Sequence, residues 1–188
     1  AWFGRDNGLS INEIFCASNV NDVLTRFIST GKLEPKETIP SVAPSMDIQI
    51  PSSLERLIYN FEGDASSFYD QLQNEKIAKL SEESVVRLQN IFSSLSFNDE
   101  MILKEIDLFY KNYGWVIDPH TATALSSSVT FSSTLPVVGV ATASPEKFSD
   151  VISKTIDEFR VENTKNEEKY FVEKANSSLV ENTIKECL

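Results

Sequence analysis

The only histidine of the chain, His120, lies in Asp118-Pro119-His120-Thr121-Ala122. Asp118-Pro119-His120 follows an expected strand, Trp115 to Ile117, and the carboxyl end of a strand is where a functional carboxylate–imidazole pair would sit. The same residues can equally cap a helix and hold a structural imidazole, and the residues alone leave both readings open. A lone histidine with no cysteine nearby cannot build a zinc-type site, so no metal ligand is expected. A second stretch runs from Leu135 to Phe148. Its valine-rich start, bounded by turn residues, reads as a strand buried on both faces. Thr142, Ala143 and Ser144 follow, and Pro145 stands where a helix can begin. Ligands of open α/β sheets sit just beyond the carboxyl ends of the strands. Thr142, Ala143 and Ser144 are therefore candidate site residues, although a bare strand–turn–helix corner has the same pattern. Acidic residues are mostly explained as helix faces. Asp47 and Asp118 are exceptions, because each lies in a loop near proline. No nucleophile motif, phosphate-cradling glycine loop or dinucleotide fingerprint occurs, so no catalytic residue is assigned.

The elements that must position these residues follow from periodicity. Glu13 to Ala17 reads as a short strand. Val23, Leu24, Phe27 and Ile28 then recur at helical spacing, and Gly31 closes the helix. Pro35, Pro40, Pro44 and Pro51 forbid a regular helix over 32–51 and leave one possible edge segment, Asp47 to Ile50. Leu54, Leu57, Ile58 and Phe61 mark a helix capped by Ser52 or Ser53 and ended near Gly63. The polar stretch 62–97 reads as a helical insertion, with Val85, Leu88, Ile91, Phe92 and Leu95 on one stripe and Ser81 as cap. Asn98 caps the clearest helix, with Asp99 and Glu100 in its first turn and Gly114 at its end. Trp115-Val116-Ile117 reads as a strand, Thr123 to Ser128 as a small-residue helix, and Val151, Ile152, Ile156 and Phe159 as a final helix face. Residues 161–188 read as a polar helical extension. Strands alternating with helices imply an α/β fold with a parallel sheet covered on both faces. Three strands are few for 188 residues, which suggests part of a larger domain.

Bulk properties narrow the class. Hydrophobic residues make up 41% and charged residues 24%, as in ordinary globular domains. The net charge of −11 argues against nucleic acid and anionic membranes as partners. No run is long enough for a transmembrane helix. Cys16 and Cys187 lie far apart without metal-type spacing; a reducing compartment fits them best, with one disulfide also open. The chain begins Ala1-Trp2-Phe3-Gly4, as if cut from something longer.

Several stretches together resemble one family. Ser18 to Phe27 (SNVNDVLTRF) resembles the ATNENDVLTRF segment of threonine synthases, and Ala43 to Leu57 (APSMDIQIPSSLERL) resembles their SPSMDIQVPSNLERL. Asp118 to Ala122 matches their DPHTA, and Ala141 to Phe148 (ATASPEKF) is similar to ATAHPAKF. The order is the same and the segments span residues 18–148.

The resemblance implies a partial parallel sheet flanked by helices, belonging to a pyridoxal-phosphate enzyme of fold type II, the tryptophan synthase β-like class. It implies that residues 1–160 are the carboxyl-terminal part of the catalytic region. The parent reaction would convert O-phosphohomoserine and water to threonine and phosphate in the cytoplasm. The lysine that holds the cofactor, and most of the phosphate loop, would lie outside this chain. The isolated chain is then expected to be inactive and to bind no pyridoxal phosphate. Its natural partner would be the remainder of the catalytic region. Carried over by motif, Thr142 would share a hydrogen bond with the cofactor's pyridine nitrogen, and a neutral hydroxyl there makes the ring a milder electron sink. Asp118, His120, Ala143 and Ser144 would line the site. Ser144 departs from the family's histidine, so no acid–base role carries over there. Two alternatives remain at this stage: a truncated relative serving as a non-catalytic interaction or signalling module, and an unrelated α/β binding domain.

Overall fold

A computed structural model describes residues 1–126 and 136–160. The chain is α/β. Its centre is a pair of parallel strands, β1 (Ile14–Ser18) and β4 (Phe92–Ser96), in register Ile14 with Phe92 through Ser18 with Ser96. Successive side chains of a strand point to opposite faces, and β1 uses both. Ile14 and Cys16 pack into one apolar cluster, and Phe15 and Ala17 into another. Burial on two sides accounts for the run Ile14-Phe15-Cys16-Ala17, which has no polar alternation.

The first cluster is built by four helices. These are α2 (Val23–Thr30), α3 (Leu54–Glu62), α4 (Ser66–Glu75) and α5 (Glu82–Gln89). Phe27, Ile58, Phe68, Leu72 and Leu88 are buried in it. A short antiparallel pair, β2 (Lys32–Leu33) with β3 (Ala78–Lys79), closes this side. Gly31 joins α2 to β2 at φ +68°, and a Cβ there would lie 2.2 Å from a Val85 methyl. Only glycine meets both demands. A short opening helix, α1 (Trp2–Asp6), lays Trp2 against Phe61 and Phe92.

The second cluster lies under α6 (Asp99–Tyr113), α7 (Pro119–Ser126) and α8 (Ser149–Ile152). Ile102 and Ile106, one helical turn apart, join Phe97, Ala122, Ile152 and Ile156 there. The start of α6 is as the sequence predicts: the Met101 amide donates to the Asn98 side-chain oxygen at 2.9 Å, and Gly114 takes the left-handed conformation at its end.

Five expectations need correction. Helix α5 ends at Gln89, and Phe92 and Leu95 belong to β4 rather than to a helical stripe. Phe92-Ser93-Ser94-Leu95-Ser96 fits a helical i, i+3 spacing and a strand alternation alike; pairing with β1 decides in favour of the strand. Trp115 to Ile117 is irregular, with Trp115 74% exposed. The stretch 136–142 is also irregular, and Val137, Val138 and Val140 are 57%, 84% and 66% exposed. It makes no hydrogen bond among the described residues. Extended backbone becomes a strand only when a neighbour pairs with it, and no described strand pairs with this stretch. Finally, Asp47 to Ile50 is no edge strand, and α8 is a single turn, with Ile156 buried beyond it. Leu135, residues 127 and 128 of the expected small-residue helix, Cys187 and the extension 161–188 lie outside the described residues.

Candidate functional site

The proline-rich loop after β2 is ordered by one carboxylate. Asp47 Oδ1 accepts from Asn19 Nδ2 at 2.6 Å, Asn21 Nδ2 at 3.0 Å and the Ser41 hydroxyl at 2.7 Å. Its Oδ2 accepts the Ser41 amide at 2.9 Å. Asn19 is wholly buried and Asn21 nearly so. Asn19 Oδ1 in turn accepts the Asn21 amide at 2.9 Å, and Asn21 bridges to the Ile39 amide and carbonyl. Buried amides are costly unless satisfied; here they replace regular secondary structure across a segment whose prolines prevent it. The loop carries a short 3-10 turn, Pro44–Met46.

The Ser45 amide in that turn donates to His120 Nε2 at 3.1 Å. On the other side of the ring, His120 Nδ1 lies 2.8 Å from Asp118 Oδ1, which also accepts the His120 amide at 2.9 Å. Asp118 Oδ2 accepts the Thr121 hydroxyl. Both partners are buried, Asp118 to 1% exposure. Burial alone would push the Asp118 carboxyl up. The hydrogen bonds from the His120 ring, the Thr121 hydroxyl and the His120 amide outweigh it and hold the carboxyl below the usual carboxylate range. Pro119 occupies the first turn of α7, where its missing N–H costs nothing.

The His120 ring packs against the Phe148 ring in a tilted arrangement, with centroids 4.6 Å apart and planes at 57°. Phe148 ends the 3-10 turn Pro145–Phe148, which begins directly after Ser144. Ala143 and Ser144 are half-buried, and Thr142 is exposed with no hydrogen-bond partner among the described residues. The structure thus joins Asp118 and His120 directly and reaches the Thr142–Ser144 stretch only through Phe148.

Sequence reasoning singled out Asp47 but missed Asn19, Asn21 and Ser41 as its companions. Asn and Ser read as turn and cap residues by default, and only the spatial return of the loop gives them a common carboxylate.

Among the described residues, no group of three or more His, Cys, Asp or Glu side chains could hold a metal, and no helix is long and apolar enough to cross a membrane. A cleft of about 570 Å³, lined by Arg5, Glu83, Val86, Arg87, Asn90 and Ile91, shares no residue with these clusters.

Comparison with known proteins bears on the same segments. No protein-family profile matches the chain. Threonine synthase of Pseudomonas aeruginosa is 31% identical over 159 residues, covering 81% of this chain and 34% of that protein. The crystal structure of threonine synthase from Brucella melitensis with bound pyridoxal phosphate superposes with a TM-score of 0.81 at 26% identity, covering 98% of this chain and 42% of that one. Threonine synthase from yeast has the same fold, with a TM-score of 0.77 at 23% identity over 98% of this chain and 44% of that one. The chain spans about a third of the length of the Pseudomonas relative. In sequence and in fold, the chain is a relative of the threonine synthases.

Proposed function

We propose that this chain is the carboxyl-terminal portion of a cytoplasmic fold type II pyridoxal-phosphate enzyme that converts O-phosphohomoserine and water to threonine and phosphate. The observation that carries the reading is convergence. The four family-like segments are separated by up to 130 residues of sequence, yet they meet through Asn19, Asn21 and Asp47, through Ser45, His120 and Asp118, and through His120 and Phe148.

The residues present fit the cofactor at one contact. The Thr142 hydroxyl is exposed and unengaged, so it can share a hydrogen bond with a pyridine nitrogen while remaining neutral. When bound, pyridoxal phosphate supplies an electron sink for carbanion chemistry. Thr142 sets how strong that sink is, and the turn after Ser144 sets where the hydroxyl points. The covalent and phosphate contacts belong to the remainder of the catalytic region. The irregular, exposed stretch at Pro136–Val140 is the surface that remainder would cover, completing a parallel sheet of which β1 and β4 form two strands. On this reading the isolated chain neither turns over substrate nor holds the cofactor.

The test uses the full-length enzyme that contains this chain. Thr142→Asp places a full charge at the ring nitrogen and should lower kcat at least about tenfold, or roughly 1.4 kcal/mol of barrier, with a changed visible band of the bound cofactor. Unaltered kinetics and spectrum would remove Thr142 from the site.

A further inference from the structure

His120 touches three segments that are far apart in sequence. Its Nε2 accepts the Ser45 amide at 3.1 Å, its Nδ1 faces Asp118 at 2.8 Å, and its ring lies on Phe148. An atom that accepts an N–H carries a lone pair, so Nε2 is unprotonated. Asp118 Oδ1, already accepting the His120 amide, can only accept from Nδ1 as well. The proton therefore sits on Nδ1, and both sides of the ring demand the same tautomer. The opposite tautomer would set an N–H against the Ser45 N–H and leave a lone pair against a carboxylate.

We propose that His120 is a positioning residue. Its neutral Nδ1–H tautomer, fixed by Asp118, clasps the 41–47 loop to the turn that presents Thr142, Ala143 and Ser144. The consequence for cofactor contact rests on the function proposed above; the clasp itself does not. Asp118 sets ring orientation, Nε2 holds the loop through Ser45, and the ring's contact with Phe148 holds the turn. A change at any of the three is felt at the other two, although none touches Thr142.

Nitrogen-15 spectra of the histidine side chain in this chain test the first part without any variant. One protonated Nδ1 and one lone-pair Nε2 near neutral pH are expected; an Nε2–H ring overturns the proposal. His120→Asn keeps a donor toward Asp118 but reaches neither Ser45 nor Phe148. Amide exchange at Ser45 should then quicken at least about fivefold, the loss of one partly buried hydrogen bond, and the amide resonances of Thr142, Ala143 and Ser144 should move. Ile106→Val is the control, since it loosens the same apolar cluster without touching the ring. If it reproduces both changes, His120 is only a core residue and the proposal fails. The full-length enzyme separates the two readings. If the tautomer and amide results hold while His120→Asn leaves the cofactor band unmoved, the clasp stands and the Thr142 contact falls.

Discussion

Replacing Asp47 with alanine is the sharpest test of what orders the loop between β2 and α3. The carboxylate accepts four hydrogen bonds. At about 1.5–3 kcal/mol for each bond to a charged group, independent losses would sum to roughly 6–12 kcal/mol. The donors are not equally stranded, however. Asn19 Nδ2 keeps the Ser41 hydroxyl at 2.7 Å and the Ala43 carbonyl at 3.3 Å, and Asn21 Nδ2 keeps the Ile39 carbonyl at 2.8 Å. Only the Ser41 amide and the Ser41 hydroxyl proton lose their sole acceptor. Asp47 is also half-buried, so water can replace part of what is lost. These corrections bring the expected cost to about 2–4 kcal/mol. With a urea slope of about 2 kcal/mol/M, the unfolding midpoint should fall by about 1–2 M. Asp47→Asn keeps the oxygen facing three donors and sets an NH2 group against the Ser41 amide, so its shift should be about half as large. A fall below about 0.3 M for Asp47→Ala would refute the argument, because a hub of four bonds cannot be worth so little.

Other outcomes follow from single groups. Asp118 is held below the usual carboxylate range, so its contribution is fully present above the unfolded-state value and is lost as pH falls through the folded one. Urea midpoints should therefore drop on acidification below about pH 4, and Asp118→Asn should flatten that slope while lowering stability throughout. Burial pushes the Cys16 thiol up to about 11. It should be alkylated at neutral pH only as fast as the chain unfolds, and rapid labelling mapped to Cys16 in the folded chain, with Cys187 followed separately, would contradict the packing of β1. Gly31→Ala should cost more than about 1 kcal/mol from backbone strain alone, plus the clash with Val85. Val85→Ala in the same chain should recover the steric part only, as thermal melts of the pair will show.

Local signals were legible where one residue answers one local need. Asn98 and Ser81 as caps, Gly31, Gly63 and Gly114 as closures, and the short strand expected over Glu13 to Ala17 and found at Ile14–Ser18 follow from rules that act within a few residues. The misreadings share a different cause. Whether Phe92–Ser96 and Pro136–Val140 become strands depends on which distant backbone is offered, and periodicity carries no such information. Strand β4 finds β1; the valine run finds no partner among the described residues. The site divides in the same way. Asp118 and His120 are two residues apart, and their pairing is legible. The carboxylate of Asp47 gathers Asn19 and Asn21 across 26 to 28 residues, and only chain geometry reveals it.

The bare valines at 137, 138 and 140 also govern how the chain behaves at high concentration. An exposed apolar stretch with spare amide and carbonyl groups is a template for its own kind. Copies that meet there would add strand to strand rather than remain dispersed. The nearest checks on such growth are Pro136 at one end of the stretch and Pro145 beyond the other, each lacking the N–H that a continuing ladder requires. Turbidity should accordingly rise steeply with protein concentration and fall when Val138 is exchanged for lysine.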